Sequence, residues 1–192
     1  MQGKFSLSPG ACILFASALL LLPLRWVLGW LLATSLHELG HYIALRLLGV
    51  PIRAMEISFG GMRMHTGPLG DREEVICALS GPASGFALVF LARLLPCTAL
   101  CAFCQSLFNL LPIYPLDGGR VLRGLLGKIC KGERLVYKIE QGVTLTVFAC
   151  LIVISLHFPF GGVGIVLVFW IFAQNVLANK GETRYNKGKK FH

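Results

Sequence analysis

Long apolar blocks dominate this chain, and the polar residues that interrupt them mark out its elements. The blocks fall at roughly 10–24, 26–49, 74–95, 97–119, 139–158 and 162–178. Each is close to the roughly 20 helical residues that cross a hydrocarbon core about 30 Å thick. Lys4 precedes the apolar run 11–22 in the manner of a signal peptide, but no small-x-small cleavage site comes before Arg25 and a second block follows at once. The first block therefore reads as an uncleaved helix. Between the second and third blocks the pattern changes to alternation. Ile57 and Phe59 alternate with Glu56 and Ser58, Gly60-Gly61 turns the chain, and Met62 and Met64 alternate with Arg63 and His65, which predicts a β-hairpin. Asp71 is a candidate N-cap for the third helix, with Glu73 and Glu74 in its first turn,. Within that helix Gly81-Pro82-Ala83-Ser84-Gly85 combines a helix breaker with glycines spaced for close helix approach. The fourth block holds Pro112, Pro115, Gly118 and Gly119, so its helix should break near Pro112 and restart after Asp117. The expected fold is an all-α polytopic membrane protein: about six transmembrane helices, the fourth broken, and a short β-hairpin between helices 2 and 3.

Composition agrees with that pattern. Hydrophobic residues make up 55% of the chain and charged residues only 14%, and the mean hydropathy is +0.71, far from the mixture of a soluble domain. The net charge of +9 does not point to nucleic acid, because the basic residues are distributed by side. With the C-terminus in the cytosol, all but Arg25 and Arg93 of the 18 Lys and Arg lie on or at the interface with the cytosolic side. That is the positive-inside bias, and it predicts both termini cytosolic. Residues 1–179 then form one transmembrane domain, and 180–192 form a basic tail that anchors to lipid headgroups. The 7 cysteines do not read as a disulfide framework, since most fall within the apolar blocks.

The chemistry sits where the apolar pattern is least able to tolerate polar groups. His37-Glu38-Leu39-Gly40-His41 is an H-E-x-x-H run inside the second block. On a helix, residues four apart share a face, so two imidazoles can hold one metal ion while Glu38 serves as general base. Ionisable side chains within a membrane helix cost several kcal/mol and are kept mainly for function. A catalytic zinc takes three protein ligands, and Asp117, one of two Asp in the chain, is the candidate for the third; its competing role is an N-cap for the helix that follows. In the expected topology His41 lies eight residues before Gly49, about 12 Å along the helix. Asp117 lies just ahead of the basic cluster that begins at Arg120. Both point to a site recessed from the cytosolic face.

The H-E-L-G-H run and the segment Asn109-Leu-Leu-Pro112-Ile-Tyr-Pro115-Leu-Asp117-Gly118-Gly119 together resemble the site-2 protease group of intramembrane zinc metalloproteases. The likeness covers about 31–122 and is greatest to the compact bacterial branch that processes sporulation sigma factors. It implies one Zn²⁺ per chain on His37, His41 and Asp117, with Glu38 as catalytic base and Asn109 and Pro115 lining the substrate groove. The hairpin, through Phe59, Gly60 and Gly61, is a further candidate to hold an unwound substrate. The implied partners are a single-span or membrane-associated precursor, the bilayer and an inhibitory membrane protein, in a bacterial cell membrane. Three departures bear on this. Ala83-Ser84-Gly85 stands where the group often has Asn after its Gly-Pro pair, and the expected chain carries neither a CBS nor a PDZ domain. Two other classes stay open: a zinc or metal-ion transporter, and a catalytically silent membrane binding protein. Transport would favour a series of ligand sites, yet the outer halves of the blocks lack His, Asp and Glu apart from His157.

Overall fold

A computed structural model describes residues 4–7, 9–58, 61–130 and 132–157. The chain divides into two compact units, Met1–Leu110 and Leu111–His192. The first holds β1 (Lys4–Leu7), α1 (Pro9–Leu21), α2 (Leu24–Leu47), β2 (Ile52–Ser58), β3 (Gly61–Thr66), α3 (Asp71–Ala87), a 3₁₀ turn (Leu88–Leu91) and α4 (Pro96–Asn109). The second holds α5 (Asp117–Ile129) and α6 (Glu133–His157). The sixth expected span and the basic tail lie outside the described residues.

In the first unit α2, α3 and α4 pack around small residues. Ala33, Leu88 and Ala102 form a buried cluster with Leu36 and Cys101 against it. Gly40 on α2 lies so near α3 that a methyl there would stand 2.8 Å from Ser84 Oγ. Ser84 donates to Leu36 O at 2.9 Å, so the residue type that departs from the resembled group ties α3 to α2. Gly85 meets α4, where an added methyl would run into Ser106 Oγ. The two glycines at 81 and 85 thus permit the close approach expected of them. Pro82 does not break the helix as expected, since α3 runs through it from Asp71 to Ala87. Its N-cap is Gly70, not Asp71; the Gly70 N–H donates to Glu73 Oε2 at 3.0 Å.

The hairpin forms as expected, with Ile57 opposite Met62 and Met55 opposite Met64, but it is part of a larger sheet. β1 pairs in parallel with β2, Lys4 opposite Ala54 through Leu7 opposite Ile57, giving the order β1-β2-β3. β2 is therefore flanked by β1 as far as Ile57, and β3 is an outer strand of the sheet. Phe59 and Gly60 lie outside the described residues; Gly61 opens β3.

Among the described residues two helical stretches are long and apolar enough to cross a membrane, Asp71–Leu91 and Arg134–His157. At 24 residues α2 spans about 36 Å at the helical rise, but its imidazoles, Glu38 and Arg25 lower its apolar content. Large apolar side chains face outward, Phe90 at 92% and Leu20 at 86% exposed, a pattern suited to lipid contact.

Candidate metal centre

His37 and His41 lie one turn apart on α2, both buried, with Glu38 beside them half-buried. Their rings meet edge to face with centroids 4.9 Å apart. Their Nε2 atoms converge to 3.2 Å. Two imidazole nitrogens on one tetrahedral zinc, at bonds of about 2.0–2.1 Å, stand about 3.3 Å apart. The two histidines therefore fit a shared ion.

Neighbouring helices fix these rings. His41 Nδ1 lies 2.8 Å from Cys77 O on α3; a carbonyl only accepts, so Nδ1 carries the proton and Nε2 presents its lone pair. A backbone partner of this kind sets the tautomer and orientation of a metal-binding histidine. Ser80 Oγ donates to the same carbonyl at 2.6 Å. From the end of α4, Asn109 Nδ2 lies 3.3 Å from His37 Nε2, so this residue, expected along a substrate groove, reaches the nitrogen that faces the metal position. Gly81 is the third element. A Cβ there would stand 2.8 Å from His37 Nε2 and 2.5 Å from His41 Cε1, so the missing side chain leaves space directly at the two donor atoms. Gly81→Ala should lower zinc affinity by roughly 10- to 100-fold, the scale of a displaced outer-shell group, with helix content unchanged because alanine favours a helix more than glycine. Chelator competition and far-UV circular dichroism check this; unaltered affinity would mean the rings yield to the methyl.

In the second unit the restart of the broken helix places Asp117 at the first position of α5, with Leu116 as the N-cap. The cap role weighed for Asp117 thus falls to a residue without a capping side chain. Asp117 is buried, 7% exposed, and Arg120 Nη1 lies 3.6 Å from its Oδ1. Pro115 follows a cis Tyr114–Pro115 bond within the break, 110–116. Among the described residues, one group of His, Cys, Asp and Glu is suited to hold a metal ion: His37, His41 and Asp117, all buried. Cys97, Cys101 and Cys104 make no such group.

Sequence reasoning passed over Cys77, Ser80 and the role of Gly81 toward the histidines. Their contribution is a carbonyl, a hydroxyl beside it and an absent side chain, and only the packing of α3 on α2 reveals it.

Comparison with known proteins follows the same line. Peptidase family M50 matches residues 75–154. A Synechocystis sp. protein whose name assigns it provisionally to the zinc metalloproteases is 26% identical, over 78% of this chain and 47% of that protein. A zinc metalloprotease of Methanocaldococcus jannaschii is 28% identical, over 66% of this chain and 44% of that protein. The chain thus spans about half the length of these curated relatives. The solved structure of a site-2 protease from Methanocaldococcus jannaschii superposes with a TM-score of 0.65 at 20% identity, covering 91% of this chain and 92% of that one. That likeness shows the fold. Part of the chain is thus similar to Peptidase family M50, and most of it to two proteins named as zinc metalloproteases.

Proposed function

We propose, from an M50-type core, that this chain is an intramembrane zinc metalloendopeptidase that hydrolyses a peptide bond in or near a transmembrane segment of a membrane-bound substrate. The observation that carries the reading is the pair of buried imidazoles whose Nε2 atoms converge to 3.2 Å beside Glu38, on a helix of a strongly apolar chain. His37, His41 and Asp117 would hold Zn²⁺. Bound there, zinc supplies a Lewis acid that polarises the scissile carbonyl and acidifies a water. Glu38 takes a proton from the attacking water and delivers it to the leaving amine. His41 keeps its Nδ1 proton on Cys77 O, which leaves Nε2 for the metal. Gly81 keeps the space in front of both rings clear, and Asn109 offers an amide to the same pocket.

A helical substrate has no free carbonyl to attack, so the target segment unwinds before reaction. β3, with Met62 and Met64, supplies the strand against which it pairs. The enzyme is oriented with both termini in the cytosol, and its substrate is a single-span or membrane-associated precursor. Transport is the less favoured reading, since a single metal-capable group is present among the described residues.

The test pairs metal content with cleavage. Purified in detergent, the full chain should retain about one zinc, and co-expression with candidate single-span proteins should give a size shift for at least one of them. In the same assay Met64→Pro, which removes a backbone donor from the outer side of β3,, should reduce the shift while zinc content holds. A chain with no bound zinc would sink the reading; zinc bound in every preparation without cleavage of any candidate would favour the silent binding protein.

A further inference from the structure

A buried ion pair in the second unit has no part in the chemistry just described. Glu140 on α6 is 1% exposed. Arg123 of α5 holds it through Nη2 to Oε1 at 3.0 Å, Nη2 to Oε2 at 3.1 Å and Nε to Oε2 at 3.2 Å. The same guanidinium lies over the ring of Tyr114, with Cζ 4.0 Å from its centroid. Tyr114 belongs to the helix break, three residues before Asp117, and Arg123 comes six residues after it. Arg123 therefore ties together the break, α5 and α6.

A second contact grips the same region from the other side. Gly119, in the first turn of α5, lies against the backbone of Ile113 and Tyr114, where any side chain at 119 would collide with it. Ile113 is fully buried, and Leu116 N donates to Ile113 O at 2.8 Å. The break thus folds back on the start of α5, and the residue between these grips is Asp117.

Cohesion alone does not explain the pair. An apolar pair of similar volume would join α5 to α6 about as well, because burying two charges costs much of what their attraction returns. A planar, bidentate contact adds orientation, since it fixes the rotation of the guanidinium and of the helix that carries it. We propose that Arg123 and Glu140, with Tyr114 stacked on the guanidinium, are positioning residues for the metal centre: they set the angle at which α5 presents the Asp117 carboxylate. The inference rests on Asp117 being the third zinc ligand, as read above.

The experiment measures the zinc dissociation constant of the full chain in detergent by competition with a fluorescent chelator. Glu140→Gln, which keeps the size and removes the charge, should weaken zinc binding by roughly 10- to 100-fold, as loss of an outer-shell partner does. The reversed pair Arg123→Glu with Glu140→Arg should recover part of that loss. In an Asp117→Asn background, Glu140→Gln should change the constant by less than about twofold, because its route to the metal is already cut. Equal effects in both backgrounds would show that the pair supports the fold at large and would overturn the proposal. So would wild-type affinity in Glu140→Gln. Should Glu140→Gln not fold, Tyr114→Leu keeps the ion pair and removes the stack; unchanged zinc affinity there overturns the proposal as well. A wild-type chain that binds no zinc removes the ligand reading and this inference together, whereas tight binding indifferent to Glu140 and Tyr114 removes the inference alone.

Discussion

Glu38→Gln is expected to abolish cleavage of a co-expressed substrate while zinc stays bound. Glutamine occupies the same volume at the same place on α2, so the imidazoles of His37 and His41 keep their convergence and their contacts to α3 and α4. What disappears is the carboxylate proposed to receive a proton from water and pass it to the leaving amine. Loss of a general acid–base group lowers rates by roughly 10²- to 10⁴-fold, enough to erase a size shift on a gel. His37→Ala or His41→Ala should differ in kind, losing metal and cleavage together because each deletes a donor atom. Zinc content beside cleavage for the three variants separates base from ligand. Substantial cleavage by Glu38→Gln would sink the proposed mechanism.

Asp117→Asn is the second large effect. Asparagine caps a helix about as well as aspartate, and the cap position of α5 is Leu116 in any case. A residue that served only the helix end would tolerate the change. A third ligand would not, because the amide brings no negative charge to the ion and is a poor donor for zinc. Zinc affinity should fall by more than the roughly 10- to 100-fold typical of an outer-shell loss, and cleavage with it, while helix content by circular dichroism stays level. Near-normal metal content in this variant would return Asp117 to a structural role and leave the two histidines without their proposed third partner.

Much of this could be read from local spacing. Four-residue separation on a helix places His37 and His41 on one face, and prolines at 112 and 115 dictate a broken helix ahead of Asp117. Alternation about Gly60-Gly61 gives the hairpin. What could not be read is non-local. β1 is four residues long and stands before an apolar run, so it resembles the polar start of a leader, and its partner β2 lies some fifty positions on, after two helices. Pro82 looked like a breaker because a missing N–H and a ring clash are costs of the isolated helix, but α3 is packed on α2 at Gly40 and Ser84, and that packing outweighs them. Arg123 reads in sequence as one of the charges that orient the chain across a bilayer, and Glu140 lies seven residues after the start of α6 at Glu133. Their pairing follows from how α5 and α6 meet, which neither segment encodes by itself. A lone acidic residue at the edge of the apolar block 139–158 is the signal available.

The parallel pairing of β1 with β2 has a practical consequence for anyone who handles this protein. β1 is a working part of the sheet, so an affinity handle fused directly ahead of Lys4 adjoins a strand whose register fixes one flank of β2. A handle that drags β1 away would expose that flank and offer an extended polypeptide a second place to add. Purified material could then capture its own tag, or a neighbour's, in place of a client. Handles are better carried at the other end of the chain, and a difference in activity between the two placements would reveal how far the first four-residue strand guards the sheet against unwanted guests.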